Sequence, residues 1–407
     1  MREKKEEWKM VHRQHTGTVK SDCSFLNRLE AEKARSFHRS FPMYEPTPLV
    51  SLTETARELG LQAVYIKDES YRFGLNAFKA LGGSYAVGNY CAGKLGREIS
   101  EISFSDLISE EIRKKLGMLT FVTATDGNHG RGVAWIASQI KQKAVVYMPK
   151  GSAQERLENI RAEGADASIT EENYDATVRF AQRQAQENGW VLVQDTAWEG
   201  YEEIPSWIMQ GYGTMGLEAY EQLPDKPTHI FLQAGVGSMA AAIAVFFASV
   251  YGTDRPQVVI VEPNEADCFY LTAKADDGKR HITTGSMPTI MAGLACGEPC
   301  SIAWDILADY ADYFISMPDY AAANGMRILG NPVFDDRRVI SGESGASGFG
   351  CVAELMTNPE LSDLKQQLHL DENSRILCFS TEGATDRKNY RDIVWSGKYP
   401  GKIAEIK

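Results

Sequence analysis

Short runs of β-branched and aromatic residues alternate with longer stretches of helical periodicity, and this alternation limits what the 407-residue chain can fold into more than any other feature. The runs Ala63–Lys67, Leu119–Ala124, Ala144–Met148, Ala167–Thr170, Val191–Gln194, His229–Gln233, Gln257–Glu262 and Arg375–Ser380 read as strands. Between them Gly130–Lys141, Ser152–Ala162, Asn173–Asn188, Met215–Leu223, Ser238–Tyr251 and Gly348–Thr357 read as helices. Strand and helix in alternation give parallel sheets flanked by helices. Several of the runs are apolar on both faces, as a sheet covered on both sides requires. The expected class is α/β, and the length leaves room for two domains with a large core.

Composition narrows the function classes. Lys and Arg number 43 against 55 Asp and Glu, a formal charge of −12. An acidic surface of this kind argues against a nucleic-acid partner and against an anionic membrane. The most apolar stretch, Met239–Tyr251, is too short to span a bilayer. The N-terminal run Met1-Arg2-Glu3-Lys4-Lys5-Glu6-Glu7-Trp8 has no apolar segment behind it, so no signal peptide is visible. Seven cysteines, odd in number and scattered, suit a reducing cytoplasm. Cys268, Cys296 and Cys300 match no zinc spacing, so no metal is expected; they read as structural thiols, with a redox clip as the alternative.

Ligands of open α/β sheets bind beyond the carboxyl ends of the strands. After Ala63–Lys67 and the acidic turn Asp68-Glu69 comes Asn76-Ala77-Phe78-Lys79-Ala80-Leu81-Gly82-Gly83, opening a helix over 77–85. Burial beside Phe78 and the positive end of a helix dipole both disfavour the Lys79 ammonium. A neutral lysine amine can form a Schiff base with an aldehyde; the alternative is a stem laid over the phenylalanine. The loop Thr123-Ala124-Thr125-Asp126-Gly127-Asn128-His129-Gly130-Arg131-Gly132 leaves N–H groups free before a helix. Its Asp126 would repel an anion; it suits a base or a contact to a cation, or else it is an N-cap.

Gly235-Val236-Gly237-Ser238-Met239 lies between a strand and a helix of small residues, a physical recipe for a phosphate cradle. It is neither the dinucleotide nor the Walker pattern, and tight strand–helix packing is the alternative. Ser380-Thr381-Glu382-Gly383-Ala384-Thr385-Asp386 and Ser341-Gly342-Glu343-Ser344-Gly345-Ala346-Ser347-Gly348 add hydroxyls, and each can be an ordinary cap. A Schiff-base lysine, a phosphate cradle, an asparagine and a late hydroxyl together describe a site for pyridoxal 5′-phosphate (PLP).

From Tyr44-Glu45-Pro46-Thr47-Pro48-Leu49 almost to the C-terminus, the order of these motifs resembles the fold type II (tryptophan synthase β-like) pyridoxal-phosphate enzymes. Ala77–Gly83, Thr125–Gly130, Ile204–Tyr212 and Met291–Gly297 are most similar to the diaminopropionate ammonia-lyases within them. Dehydratases of that fold usually carry Ser or Thr where this chain has Ala77, and Ser where it has Asp126. A carboxylate there repels a simple amino acid's carboxylate but suits a substrate with a second ammonium group.

The resemblance implies two domains, residues 1–85 with 205–407 and residues 86–204, with the site in the cleft between them, in a homodimer. It implies α,β-elimination of D- and/or L-2,3-diaminopropionate to pyruvate and two ammonia. Lys79 would carry the cofactor beside Phe78, Asn128 would meet the ring hydroxyl, and Gly235, Val236, Gly237, Ser238 and Met239 would hold the phosphate. Ser380 would face the ring nitrogen, with Thr381 and Thr385 as alternatives, and Glu343 would lie near the cofactor. A hydroxyl rather than a carboxylate at that nitrogen favours elimination over transamination. Thr125, Asp126, Gly127, His129 and Asp195 would meet the substrate. Lys79 and Asp126 would be bases on opposite faces, and Asp195 would hold or protonate the leaving amino group, or else cap a helix. The rival readings are a serine/threonine dehydratase or racemase on the same scaffold, and a catalytically silent sensor that binds PLP or an amino acid.

Overall fold

A computed structural model describes residues 7–14, 21–125 and 127–401. Its strands are β1 (Lys9–His12), β2 (Leu49–Ser51), β3 (Ala63–Asp68), β4 (Thr120–Ala124), β5 (Lys143–Met148), β6 (Asp166–Ile169), β7 (Val191–Leu192), β8 (His229–Gln233), β9 (Gln257–Pro263), β10 (Tyr313–Met317) and β11 (Arg375–Ser380). They form a seven-stranded sheet in the order β1-β10-β9-β8-β11-β3-β2 and a four-stranded sheet in the order β6-β5-β4-β7. The smaller sheet is parallel throughout, and the larger is parallel except at its two edges, β1 and β2. Among the described residues no helix is long and apolar enough to cross a membrane.

The core explains the two-sided apolar runs. Along β8 and β9, Ile230, Leu232, Val258 and Ile260 enter one hydrophobic cluster, while Phe231, Val259 and Val261 enter another on the opposite face. The first cluster continues into the smaller sheet through Phe121, Val122 and Val146. Three strands escaped the sequence reading. β1 and β2 are short edge strands, and β10 follows the Ser301–Tyr310 helix so closely that its apolar run merges with the helix.

The helix that begins at Lys79 runs unbroken to Lys94, and residue 85 lies in its middle. It is wedged between the Glu203–Gln222 and Asn128–Gln139 helices, and glycines make the contacts. A Cβ on Gly211 would lie 2.5 Å from the Leu81 carbonyl oxygen, and one on Gly82 would lie 2.6 Å from the Tyr212 ring. A Cβ on Gly132 would lie 3.1 Å from the Ala80 Cα. Gly211 and Gly213, poor helix formers, stand just before Met215, where the sequence reading starts this helix, whereas it starts at Glu203. The residues that read as helix breakers are where the helices touch.

Ahead of Lys79 the chain is held by a buried ion network. Lys67 Nζ donates to Glu218 Oε2 at 2.8 Å and to the Thr47 carbonyl at 2.6 Å. Arg72 donates to Glu218 Oε2 at 2.7 Å and to Glu69 Oε2 at 2.9 Å. All four charged side chains are at most 1% exposed. Burial pushes the Glu218 carboxyl up, but Arg72 and Lys67 outweigh it and hold it at about 2.

Removing one partner of such a network strands the others, at about 3–5 kcal/mol. Glu218→Gln should lose about that much stability at neutral pH in chemical denaturation. A carboxyl lowered in the folded state stabilises above its ordinary value of 4.5 and loses that contribution as the pH falls toward 2. The gap between variant and parent should therefore narrow in acid; a gap independent of pH would refute the role of the Glu218 charge.

Candidate active site

Loops from both sheets meet around Lys79. The Lys79 helix follows β3, the Asn128 loop follows β4, Asp195 follows β7, the glycine loop follows β8, and Thr381 and Glu382 follow β11. One pocket is lined by residues from each: Lys79, Asn128, Asp195, Gly235 to Met239, Thr381 and Glu382. A cleft of about 800 Å³ adjoins it, sharing Tyr174 and Cys296.

Lys79 Nζ donates to Asp195 Oδ2, and the Nζ sits 5.3 Å from the Phe78 ring centroid and 6.0 Å from that of Tyr212. The sequence reading of Lys79, from burial beside Phe78 and the helix dipole, did not include this carboxylate. Burial pushes the Asp195 carboxyl up, yet the charge and hydrogen bond of Lys79 outweigh burial and hold it at about 2. Tyr174 donates its hydroxyl to Asp195 Oδ1 at 3.4 Å. His129 donates from Nε2 to the Val193 carbonyl at 2.8 Å, leaving Nδ1 3.9 Å from Asp195 Oδ2. Burial pushes the His129 imidazole down, with the Asp195 carboxylate opposing, so the ring is neutral and Nδ1 carries a lone pair.

The glycine loop fits a phosphate. Gly237 has φ +89°, and a Cβ there would lie 2.3 Å from the Phe269 ring; a Cβ on Gly235 would lie 2.8 Å from the Gly293 carbonyl oxygen. The first N–H groups of the Ser238–Tyr251 helix lack intrahelical acceptors, and no acidic residue stands in its first turn. The Ser238 hydroxyl is already committed, donating to the Asp195 carbonyl at 2.7 Å. Its offer to an anion is its N–H, while its side chain ties the cradle to Asp195. Cradle, lysine, Asn128 and a pocket-facing hydroxyl match the donor set that PLP requires. Lys79 would hold its aldehyde carbon, the loop its phosphate and Asn128 its ring hydroxyl; when bound, the cofactor supplies an electron sink for a substrate Cα.

Several expected site residues lie elsewhere. The Ser380 hydroxyl donates to Ser341 Oγ at 2.8 Å and does not line the pocket, whereas Thr381 does. Thr385 donates to Glu382 Oε2 at 3.0 Å. Glu343 lines the cleft, not the pocket, and accepts from Asn389 Nδ2 at 2.5 Å. Thr125 Oγ1 accepts from the N–H groups of Gly127 and Gly130 at 2.9 and 3.0 Å, so its side chain holds the loop and not a ligand. Gly127 and His129 are buried behind the pocket wall. Asp126 lies outside the described residues. Cys268, Cys296 and Cys300 are buried free thiols.

The family model of the pyridoxal-phosphate dependent enzymes matches residues 41–382. The diaminopropionate ammonia-lyase of Salmonella typhimurium is 53% identical over 380 residues, covering 92% of this chain and 94% of that protein. This chain belongs to the diaminopropionate ammonia-lyase family of pyridoxal-phosphate dependent enzymes. The crystal structure of the Escherichia coli diaminopropionate ammonia lyase in complex with D-serine matches with TM-score 0.90 at 44% identity, covering 97% of this chain and 99% of that one. The same enzyme in complex with an aminoacrylate-PLP azomethine reaction intermediate matches with TM-score 0.89 at 46% identity, covering 97% and 98%. The fold is that of the type II PLP enzymes.

The pocket of this diaminopropionate ammonia-lyase family member also contains residues the sequence reading gave no role. Glu382 Oε2 accepts from Asn128 Nδ2 at 2.5 Å, and Tyr174, Gln233, Gly293, Leu294, Cys296 and Ser344 also line the wall. A carboxylate amid the hydroxyls after β11 was a usable signal for Glu382. Tyr174, first residue of its helix, carried none.

The Glu343 carboxyl is pushed up to about 7 by burial, with Glu382 adding to it and Arg156 opposing. A carboxyl raised in the folded state stabilises below its ordinary 4.5 and loses that contribution as the pH rises through 7. Glu343→Gln, always neutral and still able to accept from Asn389, should gain on the parent by roughly a few degrees in Tm between pH 5 and pH 8. Identical differences at both pH values would show that Glu343 carries no such strain.

Proposed function

We propose that this chain converts 2,3-diaminopropionate and water to pyruvate and two ammonia, with PLP held by Lys79. The observation that carries this reading is Asp195. Its buried, ionised carboxylate pairs with Lys79, and when that amine holds the cofactor the carboxylate is left facing the pocket without its cation. A second ammonium on the substrate replaces it. Asp195 then keeps the proton on the departing nitrogen, so that it leaves as ammonia and not as an amide ion. Tyr174 and the Gln194 side-chain amide, both donating to Asp195 Oδ1, hold Asp195 in place. Lys79, once displaced by the substrate amine, takes the Cα proton from its own face.

Asp126 is assigned to the opposite face on the family resemblance. Two bases let both enantiomers react, and the D-serine bound to the Escherichia coli relative supports a site that admits the D-configuration. Thr381 is assigned to the ring nitrogen in place of Ser380, because Thr381 lines the pocket while the Ser380 hydroxyl donates to Ser341. The division into residues 1–85 with 205–407 and residues 86–204 is supported by the two sheets, since every strand of the smaller one lies between Thr120 and Leu192. A cytoplasmic homodimer accords with the seven free thiols and with the family resemblance.

The assay is pyruvate formation from D- and L-diaminopropionate with serine as control. Turnover of both enantiomers well above serine is expected; a preference for serine would make the chain a dehydratase. Asp126→Asn should impair the D-substrate about 10²-fold or more, the usual worth of a positioned base, and the L-substrate much less. Equal losses would remove the two-base assignment. Lys79→Ala should abolish turnover of both.

A further inference from the structure

Pairing between β8 and β11 runs through Ile376↔His229 and Leu377↔Ile230 to Cys378↔Phe231, and there it stops. Beyond that point the strand ends separate, and a side chain spans the gap. Gln233, the last residue of β8 and 3% exposed, donates from Nε2 to the Phe379 carbonyl at 2.9 Å and to Thr381 Oγ1 at 2.9 Å. The carbonyl can only accept, so it fixes which end of the amide faces β11. The cost falls on the other end: Gln233 Oε1 is buried without a partner among the described residues. An unmade hydrogen bond in the interior is unfavourable, so the orientation is held by the two bonds that Nε2 makes.

The consequence falls on Thr381. A hydroxyl has one proton to give. Thr381 Oγ1 already accepts from Gln233, and among the described residues nothing accepts its own proton. Thr381 lines the pocket, 4% exposed, while neighbouring Ser380 spends its proton on Ser341. We propose that Gln233 is a positioning residue: by donating to Thr381 it turns that hydroxyl's proton into the pocket, so that Thr381 donates to the cofactor's ring nitrogen and keeps it unprotonated. A nitrogen that receives a proton-bearing hydroxyl has its lone pair occupied, and the ring is the shallower electron sink that suits elimination. This rests on the reading above, in which Thr381 meets the ring nitrogen.

The test reconstitutes the full chain with PLP labelled with ¹⁵N at the ring nitrogen, and reads the ¹⁵N shift together with cofactor affinity by fluorescence. Thr381→Val and Gln233→Met should each weaken cofactor binding by about tenfold, the worth of one hydrogen bond, and move the ring-nitrogen signal the same way. The double variant should lose no more than either single one, because the second residue acts through the first. Gln233→Glu, read in case the methionine variant does not fold, turns the arrangement round. Its carboxyl accepts the Thr381 proton, leaving a lone pair for the ring nitrogen, and the ¹⁵N signal should move to the protonated range. Additive losses, or an unmoved ¹⁵N shift in both Gln233 variants, would overturn the role of Gln233 while leaving the PLP site intact. An unmoved shift in Thr381→Val, or no cofactor binding by the parent chain, would instead overturn the reading beneath it.

Discussion

Four buried charges hold the segment from which everything else in the site is hung. Lys67 at the end of β3, Glu69 and Arg72 in the turn beyond it, and Glu218 on the Glu203–Gln222 helix pair with one another out of reach of water. Burying any one alone costs several kcal/mol, so each is tolerable only with its partners in place. The arrangement couples the sheet, the turn and the helix into a single unit. Lys79 begins five residues after that turn, and the direction in which its helix departs is set there.

The reaction pocket is joined in the same manner, with each loop tied to one from another strand. Ser238 links the phosphate cradle to the Asp195 backbone, Asn128 of the smaller sheet meets Glu382 of the larger, and Gln233 spans the ends of β8 and β11. Side chains from unrelated parts of the chain thus replace the ladder bonds that strands lose as they diverge. The sheets open at their carboxyl ends to admit a ligand, and these cross-links keep the opening from becoming slack.

How much of this was legible in the sequence depended on how local the cause was. The boundaries of β8 and β11 and of the Ser238–Tyr251 helix were read correctly because apolar period and glycine turns mark them within a few residues. That Lys79 and the Gly235–Met239 loop belong to one pocket was legible because particular residue types stand in a row in each. Which of Ser380 and Thr381 lines the pocket was not, since Ser380 instead meets Ser341, some forty residues away. The Asp195 partnership with Lys79 spans 116 residues and leaves no periodic trace. Edge strands β1 and β2 escaped for a different reason: at three or four residues they are too short for alternation to show.

The helix that carries Lys79 is seated on glycines from both neighbouring helices. A contact between side chains can repack when one of them changes, since rotamers give way first. A contact between backbone atoms has nothing to give, and an added methyl group at Gly211 or Gly132 has to be taken up by moving a whole helix, the lysine with it. Mutational tolerance in this protein should therefore be lowest at some positions that bear no functional group at all. A survey that ranked residues by chemical reactivity would pass over them, although they decide where the reactive amine stands.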